Sequence, residues 1–139
     1  MIVIDASAVV AIMTAEEDHQ SLSRLISRYP SGKGDRIMSS ISIWESAVVV
    51  ARIHQSSRMH ALQEVEDFMR LTYVEPSAPN EEITRLAVDA SERYGFGNAQ
   101  GYPGTLNMGD CISSATARYF SAKLVSKGED FRRTDIELV

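Results

Sequence analysis

The chain has 139 residues, which suits one domain with an ordinary core, since 44% of the residues are hydrophobic and 24% are charged. Four prolines and eight glycines are too few for a repeat or low-complexity protein. The net charge of −5 argues against a surface that binds nucleic acid through many phosphate contacts.

The first half of the chain alternates short apolar runs with segments of helical periodicity. Met1-Ile-Val-Ile is a β-rich run that stops at Asp5, which is typical of a buried strand in a parallel sheet. The elements predicted for this half are, in chain order, a strand over 1–4, helices over 9–13 and 17–29, a strand over 36–40, helices over 42–55 and 58–70, and a strand over 71–75.

The second half continues this alternation but contains a long glycine-rich connection. Asn80 is a typical N-cap for a helix that runs to Tyr94. The segment from Gly95 to Gly109 holds five of the eight glycines and predicts a loop of functional interest. The remaining predicted elements are a helix over 110–120 and strands over 123–126 and 135–139. This order predicts a single α/β domain over residues 1–139, with a parallel sheet covered by helices on both faces.

Four acidic residues follow predicted strands or open the helices after them. Asp5 ends the first strand, and Glu45 lies in the first turn of the helix after the second strand. Asp110 opens the helix after the long loop, and Asp130 follows the strand over 123–126. Ligand sites in open parallel sheets lie beyond the carboxyl ends of the strands, so we expect these four side chains to meet at one edge.

Each of these acids also has a local structural interpretation. Asp5 would cap the helix that follows it, and Asp110 lies where a helix N-terminus favours an anion. Ser42-Ile-Trp-Glu45 fits a capping box, and Asp130 is a typical turn residue in Gly128-Glu-Asp-Phe. Both interpretations stay open for any single position, whereas the common relation of all four to the sheet favours a shared site.

The four carboxylates form an oxygen-only ligand set. Such a set favours a hard divalent cation and predicts Mg²⁺ or Mn²⁺ instead of zinc. The three histidines, His19, His54 and His60, show no metal-ligand spacing, and we expect them at the surface or in satisfied positions. Setting the four acids aside leaves 15 of the 19 acidic residues against 14 basic ones, so a bound cation would weaken the electrostatic objection to a polynucleotide substrate.

Cysteine usage and the N-terminal segment bear on the compartment. Cys111 is the one cysteine, so an internal disulfide is excluded and a reducing compartment is expected. It lacks a neighbouring histidine base, and we interpret it as a small buried packing residue. The apolar stretch Met1–Met13 carries Asp5 and falls short of the ~20 residues that span a bilayer. We therefore expect a soluble cytoplasmic protein.

Several segments together resemble one known family. They are Ile4-Asp5-Ala-Ser7-Ala, Ile43-Trp44-Glu45, Leu106-Asn-Met-Gly-Asp110-Cys111 and Lys127-Gly-Glu-Asp130-Phe131-Arg-Arg-Thr134-Asp135-Ile136. In this order, and over essentially the whole chain, they resemble PIN-domain ribonucleases, and among these the VapC-type toxins of bacterial type II toxin–antitoxin pairs. The last two segments are the most specific.

The resemblance implies a fold, an activity and partners. The fold would be a three-layer α/β/α PIN-like domain with a short parallel sheet of about five strands. The activity would be that of an Mg²⁺-dependent endoribonuclease, with Mn²⁺ as a substitute ion, that cleaves tRNA or ribosomal RNA by metal-activated water. The partners would be a second copy of the chain, in a homodimer, and a small VapB-type antitoxin.

The resemblance also assigns site residues by motif. The metal-site acids would be Asp5, Glu45, Asp110 and Asp130, with Ser7 as an auxiliary polar group beside Asp5. Glu129 and Asp135 compete with Asp130 for the fourth position. Candidate phosphate contacts are Lys127, Arg132 and Arg133, for which solvated surface charge is an equal interpretation. Candidate stacking residues are Tyr102, Phe96 and Trp44, with a core position favoured for Trp44.

Three competing functions remain open. One is a PIN-like binding module without turnover, although the presence of all four acids counts against it. Another is a metal-dependent phosphatase for small phosphoesters. The aspartyl-phosphate class is disfavoured, because Ser7 stands where a second aspartate would be needed. The third is a nuclease of RNA processing that has no antitoxin.

Overall fold

The computed structural model describes residues 1–98 and 104–139, which contain four β-strands and six α-helices. The strands are β1 (Ile2–Ile4), β2 (Arg36–Ser39), β3 (Glu75–Ser77) and β4 (Lys123–Val125). The helices are α1 (Ala6–Met13), α2 (His19–Ser27), α3 (Ser40–His54), α4 (Arg58–Thr72), α5 (Glu81–Tyr94) and α6 (Met108–Tyr119). In these ranges no helix combines the length and the apolar character that crossing a membrane requires.

The strands form one parallel sheet in the order β3-β2-β1-β4. Ile2 of β1 is in register with Arg36 of β2 on one side and with Lys123 of β4 on the other. Because every pair is parallel, the carboxyl ends of all four strands lie at the same edge of the sheet. The residues that follow β1, β2 and β4 are therefore brought together at this edge.

Side chains alternate across β1, which lies inside the sheet. Ile2 and Ile4 face a core formed with α1, α2, α3 and α4, whereas Val3 faces a second core formed with α5 and α6. All three side chains are 0% exposed. Burial on both faces explains the uninterrupted apolar run at the N-terminus and confirms the predicted three-layer α/β/α arrangement.

The third strand begins four residues later and ends two residues later than predicted, so the predicted bounds of 71–75 are wrong. α4 continues to Thr72, after which Tyr73 takes the left-handed conformation with φ of 56°. The Val74 N–H then donates to the Met69 carbonyl at 2.8 Å and ends the helix. β3 is the edge strand that follows, a position that tolerates the missing N–H of Pro76.

The predicted fifth strand over 135–139 is present only as a bridge between Leu124 and Leu138. The Leu124 N–H donates to the Glu137 carbonyl at 2.9 Å, and the Val139 N–H donates to the Leu124 carbonyl at 3.1 Å. The C-terminal segment thus lies along β4 without continuing the sheet. The sheet of the described residues has four strands, close to the expected number.

Candidate active site

Asp5 directly follows β1 and caps α1, as its local interpretation predicted. Its backbone N–H donates to the Val125 carbonyl at 2.9 Å, which fixes it against β4. Its Oδ2 accepts hydrogen bonds from the backbone N–H of Ser7 at 2.9 Å and from the Ser7 hydroxyl at 2.6 Å. The Ser113 hydroxyl on α6 donates to Oδ1 at 2.6 Å. Asp5 is therefore a buried carboxylate, 3% exposed, that is held by both α1 and α6.

Glu45 reaches the same region from α3. This helix begins at Ser40, and the Ser39 hydroxyl is the N-cap that accepts a hydrogen bond from the Ser42 N–H at 3.0 Å. Glu45 consequently lies in the second turn. The predicted capping box between Ser42 and Glu45 is wrong, because the serine that ends β2 starts the helix earlier. The half-buried Glu45 carboxylate instead lies beside Gly109, where an added Cβ would overlap its Oε2.

Asp110 lies in the first turn of α6, which begins at Met108 and not at Asp110 as predicted. Asn107 is the N-cap, and the two residues form a capping box that confirms the helix-terminus interpretation. The Asp110 N–H donates to Asn107 Oδ1 at 2.9 Å, and the Asn107 N–H donates to Asp110 Oδ2 at 2.8 Å. Despite this capping role, Asp110 lines the same pocket as Asp5 and is 9% exposed.

Asp130 joins these acids from the turn after β4. Its side chain is exposed and lines the pocket, and its backbone carbonyl accepts a hydrogen bond from the Thr105 hydroxyl at 2.7 Å. The neighbouring Glu129 is paired with Arg132 at 2.9 Å and lies outside the pocket wall.

Asp135, the other candidate for the fourth acid, belongs to a separate ion-pair cluster. Its carboxylate pairs with Arg118 of α6 and, at 2.9 Å, with Arg93 of α5. Burial by itself would raise the pKa of Asp135, but the hydrogen bonds and charges of Arg118 and Arg93 lower it to about 2. Of the three competing acids, Asp130 is the one that shares a pocket with Asp5 and Asp110.

The four predicted acids line one pocket of about 300 Å³ at the carboxyl edge of the sheet. The rest of its wall consists of Ala6, Ser7, Val10, Glu16, Val49, Asn107 and Lys127. The Lys127 ammonium pairs with Glu16 and, at 3.2 Å, with Asp18. The Lys127 side chain at the pocket wall therefore forms ion pairs with two acids of the loop between α1 and α2.

The pocket raises the pKa of two of its carboxyls. Burial raises the pKa of Asp110 to about 7, against the opposing effect of the hydrogen bond from Asn107. The charges of Asp5, Asp130 and Glu45 contribute to the same rise, and the value of about 7 includes their effect. Burial also raises the pKa of Glu45, with an added contribution from the charge of Asp5. The acids are thus close enough to repel one another, and a bound cation would relieve this repulsion.

The donor set suits a hard divalent cation, because all four acids offer carboxylate oxygens. Within the described parts of the chain, no three His, Cys, Asp or Glu side chains already stand close enough to hold a metal ion. Glu45 is half-buried and Asp130 is exposed, so both side chains have room to turn toward a cation. The residues therefore fit Mg²⁺ or Mn²⁺ after a rearrangement of side chains.

Sequence reasoning missed Ser113, Asn107 and Gly109. Ser113 follows Asp110 by three residues and so lies on the same face of α6, a spacing that would have pointed to it. Asn107 precedes Asp110 by three residues, and this spacing, typical of a helix N-terminus, would also have pointed to Asn107 as the N-cap. The role of Gly109 depends on the approach of Glu45 from another helix, and no local pattern predicts it.

The two aromatic candidates within the described ranges, Trp44 and Phe96, are not part of the acidic pocket wall. Trp44 is 62% exposed in an apolar groove between α3 and α4, so the favoured core position is wrong. The buried face of α3 is formed by Ser42, Ser46, Ala47, Val50 and Ala51, and Trp44 lies off this face. Phe96 is exposed and lines a separate groove between α5 and α6. Tyr102 lies outside the described residues.

The remaining sequence predictions concern cysteine and histidine. Cys111 is buried in the second core, as predicted. His54 and His60 are exposed, and His19 is half-buried with its Nδ1 2.6 Å from the Glu16 carbonyl oxygen. The prediction that the histidines lie at the surface or have a hydrogen-bond partner is thus confirmed. The pocket wall contains none of the three.

Comparison with known proteins identifies the family. The PIN domain family model matches residues 2–137. The ribonuclease VapC of Mycolicibacterium smegmatis is 34% identical over 137 residues, which cover 99% of this chain and 98% of that protein.

Solved structures share the fold. VapC20 of Mycobacterium tuberculosis, described as a sarcin-ricin loop cleaving toxin, aligns with a TM-score of 0.76 at 17% identity and covers 100% of this chain and 98% of its own. A toxin-antitoxin complex from Klebsiella pneumoniae aligns with a TM-score of 0.70 at 16% identity, over 100% of this chain and 97% of that chain. Together with the family match and the similarity to VapC, these likenesses lead to one assignment: the chain belongs to the PIN-domain family, among the VapC ribonucleases.

Proposed function

We propose that the protein is an Mg²⁺-dependent endoribonuclease and the toxin of a VapBC-type toxin–antitoxin pair. The observation that carries the proposal is the meeting of Asp5, Glu45, Asp110 and Asp130 in one pocket at the carboxyl edge of the sheet. Membership of the VapC family favours RNA as substrate over a small phosphoester, and turnover over simple binding.

Asp5, Glu45 and Asp110 would hold Mg²⁺, or Mn²⁺ in its place, and Asp130 would complete the ligand set. When bound, the ion would supply two effects: polarisation of a phosphodiester oxygen, and a lowered pKa for a bound water molecule. The hydrogen bonds from Ser7 and Ser113 hold the Asp5 carboxylate in one orientation. Glu45 and Asp130 are less constrained and would adjust to the substrate.

RNA would lie across the mouth of the pocket. We propose that three basic side chains contact its phosphates. Lys127 lies at the pocket wall, Arg132 is paired with Glu129, and Arg133 is exposed. The description of VapC20 as a sarcin-ricin loop cleaving toxin supports an RNA loop as the substrate class. We propose tRNA or ribosomal RNA as the target.

The partners follow from the same family. The complex from Klebsiella pneumoniae, described as a toxin-antitoxin complex, supports a VapB-type antitoxin as the inhibitor of this chain. We also propose that the protein forms a homodimer and is located in the cytoplasm.

The proposal is tested by incubating the purified protein with tRNA and with ribosomal RNA, in Mg²⁺ or in EDTA. We expect discrete fragments with 5′-phosphate ends in Mg²⁺ and intact RNA in EDTA. Asp5→Asn should slow cleavage by more than the about 10- to 100-fold loss typical of residues that only support a metal ligand. Asp67→Asn, which changes a half-exposed acid of α4, is the matched control and should cleave like the wild type.

Growth gives a second measurement. Induced wild-type protein should arrest growth, and Asp5→Asn should not. Hydrolysis of small phosphoesters with RNA left intact in Mg²⁺ would establish a phosphatase instead. A growth effect that is unchanged by Asp5→Asn would establish a binding module.

A further inference from the structure

A chain of buried hydroxyls leads from the end of β2 to Asp5. It consists of Ser39, Ser42 on α3 and Ser113 on α6, each 0% exposed. The hydroxyl oxygens of Ser39 and Ser42 are 2.8 Å apart, and those of Ser42 and Ser113 are 3.0 Å apart. The last link is the hydrogen bond of 2.6 Å from Ser113 to Asp5 Oδ1.

The direction of this chain follows from counting protons. An ionised carboxylate only accepts hydrogen bonds, so the Ser113 hydroxyl donates to Asp5. Each hydroxyl has one hydrogen, so the Ser113 oxygen must accept from Ser42, and the Ser42 oxygen must accept from Ser39. The Ser39 oxygen accepts in turn from the Ser42 backbone N–H at 3.0 Å, in keeping with its capping role. All three hydroxyl hydrogens therefore point toward Asp5.

A second chain reaches the other oxygen of Asp5. The Lys127 backbone N–H donates to the Ser7 hydroxyl oxygen at 3.0 Å, and the Ser7 hydroxyl donates to Asp5 Oδ2 at 2.6 Å. Asp5 is the common end of two aligned chains, in which each hydrogen bond polarises the next. The carboxylate is thereby fixed from both sides.

The serine chain also links the helices that carry two other acids of the pocket. Ser42 precedes Glu45 by three residues on α3, and Ser113 follows Asp110 by three residues on α6, so each serine lies on the same side of its helix as the acid. We propose that Ser113, supported by Ser42, is a positioning residue that orients Asp5 and holds α3 and α6 in place around it for metal binding. This inference rests on the proposed function.

A structural role and a positioning role predict different results. If the serines served folding alone, their loss would lower the free energy of unfolding and leave metal affinity unchanged. A positioning role requires that metal affinity falls when the hydrogen bond to Asp5 is lost. We therefore measure Mn²⁺ binding to the purified full chain by calorimetry, alongside urea unfolding.

Ser113→Ala should weaken Mn²⁺ binding by about 10- to 100-fold, the usual effect of losing a residue that supports a metal ligand. Ser42→Ala should cause a smaller loss, because Ser113 can still donate to Asp5. Ser46→Ala is the matched control one turn further along α3. Its hydroxyl is buried and has no hydrogen-bond partner among the described residues, so wild-type affinity is expected.

Ser113→Cys, which keeps the side-chain size and loses the strong donor, is measured with Ser113→Ala in case the alanine variant does not fold. Raising Mg²⁺ should restore much of the RNA cleavage rate of either folded Ser113 variant, but not that of Asp5→Asn. Wild-type Mn²⁺ affinity in a folded Ser113 variant would overturn the inference and leave the proposed function intact. Absence of both Mn²⁺ binding and RNA cleavage in the wild type would overturn the proposed function, and the inference with it.

Discussion

At the scale of single residues, the pocket carboxylates combine two tasks. Asp5 caps α1 through Oδ2, and Asp110 completes the capping box of α6 through Oδ2, yet both line the pocket. A carboxylate has two oxygens with about four lone-pair sites, so a capping hydrogen bond leaves acceptor capacity for another ligand. Capping and pocket formation, which are alternatives when only the sequence is considered, are compatible at these positions.

Gly109 is the residue whose missing side chain lets Glu45 approach α6. In Gly109→Ala the new Cβ would overlap Glu45 Oε2, and the flexible glutamate side chain would be displaced. We expect Mg²⁺-dependent RNA cleavage to fall by about 10-fold or more. The free energy of unfolding should stay unchanged or rise by up to about 1 kcal/mol, because alanine is the better helix former.

Initial cleavage rates and urea unfolding check this prediction. Met108→Ala is the matched control, since Met108 is the exposed neighbour in the same helical turn and should tolerate the change in both assays. A wild-type cleavage rate in Gly109→Ala would show that the position of Glu45 does not limit the reaction.

At the scale of elements, the segment after β4 has two separate parts. The turn directly after β4 brings Asp130 to the pocket, where the Thr105 hydroxyl holds its carbonyl. Further along, Asp135 ties the segment to α5 and α6 through Arg93 and Arg118. One part thus contributes to the pocket, and the other attaches the C-terminus to the second core.

This division predicts opposite results for two matched substitutions. Asp130→Asn should slow RNA cleavage by about 10-fold or more and leave stability nearly unchanged. Asp135→Asn should cleave like the wild type and lower the free energy of unfolding by up to about 1 kcal/mol at neutral pH, since its ion pairs are partly exposed. Slow cleavage by Asp135→Asn together with normal cleavage by Asp130→Asn would make Asp135 the fourth acid.

The effect of Asp135 on stability should also depend on pH. Its pKa in the folded protein is about 2, below the ordinary value of 3.8, so the folded state favours the ionised form. The stabilisation is therefore complete above about pH 4 and is lost as the pH falls toward about 2. Urea unfolding should show a difference between wild type and Asp135→Asn at neutral pH that shrinks at about pH 3.

At the scale of the whole molecule, the parallel order β3-β2-β1-β4 gathers acids at one edge. The proximity of these acids lowers the free energy of unfolding while no cation is bound. The pKa of Asp110 is raised from 3.8 to about 7 in the folded protein, so the folded state binds this proton more tightly than the unfolded chain does. In EDTA the free energy of unfolding should therefore fall as the pH rises from about 4 to about 7.

Added Mg²⁺ should oppose this trend, because the ion binds the ionised acids of the folded state. We expect urea unfolding in Mg²⁺ and in EDTA to differ little at about pH 5 and clearly at about pH 8. Asp110→Asn should flatten the pH dependence in EDTA and remove most of the effect of Mg²⁺. Identical unfolding curves in Mg²⁺ and EDTA at about pH 8 would contradict a metal site in this pocket.

The sequence by itself determined the layered α/β class and the order of the elements. The apolar run Ile2-Val-Ile4 needs burial on both faces, and only a sheet between two helical layers provides it. Helical periodicity and the Asn80 cap located α5, because these signals are local to the segment. Acids placed after strands pointed to one edge of the sheet, since parallel strands end there together.

Only the tertiary structure decided how these acids are arranged. It placed Asp130 in the pocket and Asp135 with two arginines, moved Glu45 to the second turn of α3, and joined Ser113 to Asp5. It also left Trp44 exposed, because this residue lies off the buried face of α3. The placement of Asp130 and Asp135 and the link from Ser113 to Asp5 depend on contacts between residues far apart in the chain. Such contacts form when the layers pack, and local periodicity or capping patterns do not predict which distant residues will meet.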